Sequence, residues 1–69
     1  MLPLANTRLA RALYAKRSAE GFRLLQASEE IGVSLTTLFR LETQARPPSP
    51  RVLFKAARWL KVNPDDLVA

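Results

Sequence analysis

The stretch that decides the fold is Leu24-Leu25-Gln26-Ala27-Ser28-Glu29-Glu30-Ile31-Gly32-Val33-Ser34-Leu35-Thr36-Thr37-Leu38-Phe39-Arg40-Leu41. Its apolar residues recur at helical spacing on both sides of Gly32, so two short helices meet at one glycine. The first is expected over Arg23 to Ile31, burying Leu24 or Leu25 together with Ala27 and Ile31. Gly32 supplies the left-handed turn at no steric cost. Ser34 can accept a hydrogen bond from the next helix's free amides, which starts the second helix at Leu35 and carries it to Thr43 with Leu38 and Leu41 inward. Ser28 is small enough to let the two helices cross closely, and Ile31, Val33, Leu38 and Leu41 fill the angle between them.

Upstream, Leu9 and Leu13 stand four apart with Ala10 beside them, predicting a helix from about Thr7 to Ser18 with Asn6 as its cap. Gly21 stops it, and Phe22 is the apolar residue that follows such a stop. Leu2 and Leu4 flank Pro3, and residues 1–5 either dock on the core or remain a loose tail. Downstream, Gln44 to Pro48 is a proline-containing loop, and Ser49-Pro50 pairs a cap with proline at the first helical position. A fourth helix then runs to about Leu60, with Leu53, Ala56, Ala57 and Leu60 in one stripe and Lys55 and Arg58 on the opposite, solvated face. Asn63-Pro64-Asp65-Asp66 repeats the pattern of cap, proline and acidic first turn, and opens a short fifth helix burying Leu67. No stretch alternates long enough for a sheet. The expected fold is all-α, five compact helices, with residues 1–69 as a single domain.

Composition narrows the function. The net charge of +5 points to a polyanionic partner, nucleic acid before an anionic membrane. The distribution sharpens this: between Ile31 and Lys61 stand Arg40, Arg46, Arg51, Lys55, Arg58 and Lys61 against the single acid Glu42. There is no cysteine or histidine, which removes thiolate and imidazole metal ligands and the commonest general base. The close acid pairs, Glu29 with Glu30 and Asp65 with Asp66, are sequence neighbours pointing about 100° apart on a helix, unsuited to a two-carboxylate mechanism. No phosphate-binding glycine loop is present. These absences speak against an enzyme, a metal and a cofactor. The apolar runs are too short to span a bilayer and residues 1–5 lack the pattern of a signal peptide, so the expected location is the cytoplasm of a bacterial cell, at its nucleoid.

The outward positions of the second helix of the pair are Leu35, Thr36, Thr37, Phe39, Arg40 and Thr43, a surface of the size and polarity that enters a major groove. Gly21-Phe22, Ser28, Glu30 to Ser34, Thr37-Leu38, Arg40 to Glu42, Arg46 to Ser49, Ala57, Leu60, Val62 and Leu67 together resemble the lambda-repressor-like, Cro/CI or XRE-type helix-turn-helix domain, over Leu9 to Val68. That resemblance implies a DNA-binding regulator of transcription, a repressor before an activator, binding palindromic double-stranded operators as a homodimer. It places Ser34, Leu35, Thr36 and Arg40 where the family reads base edges, and Arg23, Leu24 and Thr43 at phosphate positions. It also matches Arg17 and Glu42 to an ion pair between the first and third helices, worth about 1 kcal/mol if partly exposed. Trp59, Val62 and Pro64 fall where the family places its dimer contact. The chain departs from the pattern at Leu24, whose side chain makes no polar contact, at Leu35, which can touch a thymine methyl but donates nothing, and at Thr43-Gln44-Ala45, which replaces a glycine turn.

Alternatives stand beside several of these roles. Arg40 either forks onto a guanine or holds a phosphate. Thr37 reads a base or packs its methyl against Ser28. Arg46 and Arg51 contact phosphates or are simply solvated, and Phe39 touches DNA, binds a partner or folds back on the core. Trp59 is an interface anchor or a core plug. At the level of the whole chain, the competing reading is a protein-interaction module, such as an antitoxin-like partner, built on the same fold and using Phe39, Trp59 and the proline loop. Membrane binding through the basic first helix is the weakest.

Overall fold

A computed structural model describes residues 4–68. Five helices follow one another: α1 (Arg8–Ala19), α2 (Leu24–Ile31), α3 (Leu35–Thr43), α4 (Pro50–Leu60) and α5 (Asp65–Val68), with no strand among the described residues. The expected all-α, five-helix architecture is what forms.

Local chemistry sets most of the ends. Ser34 Oγ accepts from the Thr37 amide at 3.1 Å and Ser49 Oγ from the Val52 amide at 3.4 Å, so α3 and α4 begin where their serines allow. Thr7, not Asn6, caps α1, its hydroxyl accepting from the Ala10 amide at 3.0 Å. Gly21 and Gly32 both adopt positive φ, at 70° and 91°. At Gly32 this conformation lets the amides of Gly32 and Val33 both donate to the Ser28 carbonyl, at 2.9 and 3.1 Å, which closes α2 and swings the chain into α3. The end of α4 is left-handed too, with Lys61 at φ 59° and no glycine to relieve it.

Leu9, Leu13, Ala27, Ile31, Leu38, Leu41, Ala56, Ala57 and Leu67 form one buried cluster. The alanines of α4 bring its backbone close, leaving Leu53 and Leu60 only partly buried at the margin. Neither leucine that opens α2 is buried: Leu24 packs against the edge of the core, and Leu25 is exposed. Ser28 is buried, its hydroxyl donating to the Leu25 carbonyl at 2.8 Å. That bond satisfies the buried hydroxyl where α2 meets α3.

α3 packs chiefly on α1 and α2. Its inner end is fastened by Glu42, which is 5% exposed. Arg17 of α1 grips this carboxylate with a bidentate fork, Nε to Oε2 at 2.9 Å and Nη2 to Oε1 at 2.8 Å. The expected worth of about 1 kcal/mol is that of a partly exposed pair, and removing one partner is a different and costlier event, because a buried charge left alone costs about 3–5 kcal/mol. The hydrogen bonds to Glu42 raise the Arg17 pKa above the usual arginine value, outweighing the opposing effect of burial. The Glu42 carbonyl accepts from the Ala5 amide at 2.7 Å. Ala5 is buried while Leu4 is exposed, so the N-terminal segment is docked by position 5; the expectation for Leu2 and Pro3 lies outside the described residues.

Candidate nucleic-acid interface

Because Leu38 and Leu41 are held inward, the helical period turns Thr36 and Arg40 outward, and Ser34 and Leu35, at the open first turn, are exposed beside them. Leu35 keeps 45% of its surface open. An α-helix is about 10–12 Å across with its side chains, matched to a major groove about 12 Å wide. The rod is rigid because its start is doubly fixed: Ser34 Oγ accepts from the Thr37 amide and donates to Thr37 Oγ1 at 2.8 Å. The Thr37 hydroxyl therefore belongs to the cap, and the residue is half-buried.

Phe39 and Thr43, expected to face outward, are both half-buried. The Thr43 hydroxyl donates to the Phe39 carbonyl at 2.7 Å, so its proton is already committed within α3. Without a glycine after α3, Gln44 takes an extended conformation (φ −119°) and the chain enters the proline loop directly. The loop returns to bring Arg46 to the cleft that Arg40, Gln44 and Thr37 line, a shallow hollow of about 550 Å³ walled by Pro47, Pro48 and Val52. Arg40 and Arg46, six residues apart, thus flank one groove and both are exposed. Arg23 is exposed at the start of α2, where its amide donates to Gln26 Oε1 at 3.1 Å.

The α2–α3 turn is also held from α4. Lys55 Nζ donates to the Gly32 carbonyl at 2.8 Å, so Lys55 is a strut and not a solvated cation as its helix face suggested. Sequence reading misses this role, because it places Lys55 with Arg58 on the solvated face of the fourth helix.

Of the expected dimer contacts, Val62 is exposed, while Trp59 and Pro64 are half-buried. Trp59 is engaged within the monomer: the Lys16 ammonium lies 4.4 Å from its ring centroid and also donates to its carbonyl, and its indole N–H donates to Glu30 Oε1 at 3.2 Å. The ring packs on the margin of the core.

This bihelical geometry agrees with the comparisons. A family described as helix-turn-helix, of the Cro/CI-like XRE type, matches residues 13–67, and the chain belongs to that family. A search of curated proteins gives no match. Among solved structures, the chain is similar to the clp gene regulator ClgR from C. glutamicum, with a TM-score of 0.64 and 27% identity over 96% of this chain and 86% of that one. The chain is a DNA-binding transcription regulator domain. No helix among the described residues is long and apolar enough to cross a membrane.

Proposed function

We propose that this domain is a sequence-specific repressor that inserts α3 into the major groove of a palindromic operator as a homodimer, in the bacterial cytoplasm at the nucleoid, and that it performs no catalysis. The carrying observation is the outward row of Leu35, Thr36 and Arg40 on a helix fixed at both ends, by the Ser34 cap and by the Arg17–Glu42 fork. In this reading Arg40 forks onto a guanine, Thr36 and Ser34 bond base edges or the adjacent sugar-phosphate, and Leu35 contacts a thymine methyl. Arg46 and Arg23 bracket the groove on phosphates, with Arg23 at the positive end of the α2 dipole. Thr37, Phe39 and Thr43 support the helix from its flank and add contact through their open edges. Repression needs only occupancy of the operator. The second protomer joins through Val62, Pro64 and the free edge of Trp59, setting the two α3 helices about one helical turn of DNA apart.

The experiment is selection from a random duplex pool at fixed salt. The expected result is a two-fold symmetric site with half-sites about 10 base pairs apart. Equal affinity for every duplex would end this reading.

A further inference from the structure

Phe54 lies on the outer face of α4, turned away from Ala56, and is the most open large hydrophobic residue among those described, at 64% exposure. Arg51 precedes it by three residues and Arg58 follows by four, so all three share one face. With Pro50 and Lys55 they line a shallow depression of about 620 Å³. Its lining is chiefly apolar, which the phenyl ring and the aliphatic stems of the basic residues supply. α4 carries no acidic residue to neutralise them. Arg51 has a phosphate contact as one of its two expected roles, and no other residue of the patch belongs to the surface assigned to DNA.

A solvated basic face has no use for an uncovered phenyl ring, and a phosphate backbone would engage the guanidinium groups while leaving the ring in water. A segment that presents carboxylates beside an apolar side chain satisfies both at once. We infer that the Arg51–Phe54–Arg58 ridge of α4 is a docking surface for an acidic amphipathic segment of another protein. Phe54 is the anchor, and Arg51 and Arg58 fix the segment's register through charge-assisted hydrogen bonds. The inference does not rest on the operator-binding reading, because the ridge is separate from α3. A regulator with both surfaces can hold a partner while bound to DNA.

The probe is a short labelled peptide with Asp and Glu on one helical face and Leu and Phe on the other, titrated against the wild-type domain and against Phe54→Ser, Arg58→Glu and the charge-matched control Arg11→Glu. Binding should weaken about tenfold in each of the first two variants and change less than about twofold in the control. Amide shifts induced by the peptide should centre on residues 50–58, and duplex affinity should be unchanged in Phe54→Ser. Equal weakening by Arg11→Glu would reduce the effect to net charge and overturn the proposal. So would peptide-induced shifts on α3, loss of duplex binding in Phe54→Ser, or a wild-type dimer that Phe54→Ser converts to monomer, since the last makes a second copy the occupant.

Discussion

Lys55 on α4 and Gly32 in the α2–α3 turn are joined by a 2.8 Å hydrogen bond from ammonium to carbonyl, across 23 residues of chain. The turn sets the angle at which α3 leaves the body, so this bond fixes the presentation of the outward row from a helix that does not itself carry it.

Removing it should loosen the turn more than the fold. Lys55→Met is expected to cost about 0.5–1.5 kcal/mol globally, since the Gly32 carbonyl can rehydrate. Hydrogen exchange at the amides of Gly32 and Val33 should accelerate beyond that global change. Uniform acceleration across α1 to α4 would show that the bond has no local role.

The fork between Arg17 and Glu42 makes a larger prediction. Arg17→Ala strands a buried carboxylate and should cost about 3 kcal/mol by urea denaturation, a large share of what so small a domain possesses. The double variant Arg17→Met/Glu42→Leu should recover most of the loss, because two apolar side chains leave no charge uncompensated. The raised Arg17 pKa means that this contribution is complete below the ordinary arginine range and is lost only as pH rises past it. Alkaline titration to about pH 10 should leave it intact.

Lys61 holds a left-handed conformation at φ 59° that glycine adopts without strain. Lys61→Gly should raise stability by about 0.5–1 kcal/mol, read as a higher urea midpoint with an unchanged slope. A lower midpoint would mean that the lysine stem contributes packing that outweighs its backbone strain.

At the DNA surface, Arg40→Ala should cost about 1–3 kcal/mol against the preferred duplex and flatten preference at one base position. An equal loss on every duplex would move Arg40 to the phosphates.

The parts of this fold legible in the sequence were those written in adjacent residues. Ser34 before Leu35, and Ser49 before Pro50, announced α3 and α4 at their observed starts because a cap acts over three residues. The start of α1 was misplaced by one residue because Asn6 and Thr7 are both competent caps and only the three-dimensional path chooses between them. Periodicity could not say which leucine at the head of α2 is covered, since that depends on where its neighbours end. Phe39 and Thr43 share a helix with Arg40 yet are half-buried for the same reason. Lys55 is hidden because its partner Gly32 lies 23 residues away, and the exposure of Phe54 because it depends on where the other helices pack. The cleft joining Arg40 to Arg46 is hidden because it depends on the path of the proline loop, which carries no periodic signal. The Arg17–Glu42 pair was anticipated by resemblance, but its burial was not.

Trp59 is the chain's one tryptophan, and it sits where α1, α2 and α4 converge, between a lysine and a glutamate. Its emission is therefore an intrinsic gauge of assembly, quenched or shifted when any of those three helices departs. Because α3 is not among them, operator titrations can be followed with an extrinsic dye while the indole independently certifies that the scaffold is still folded.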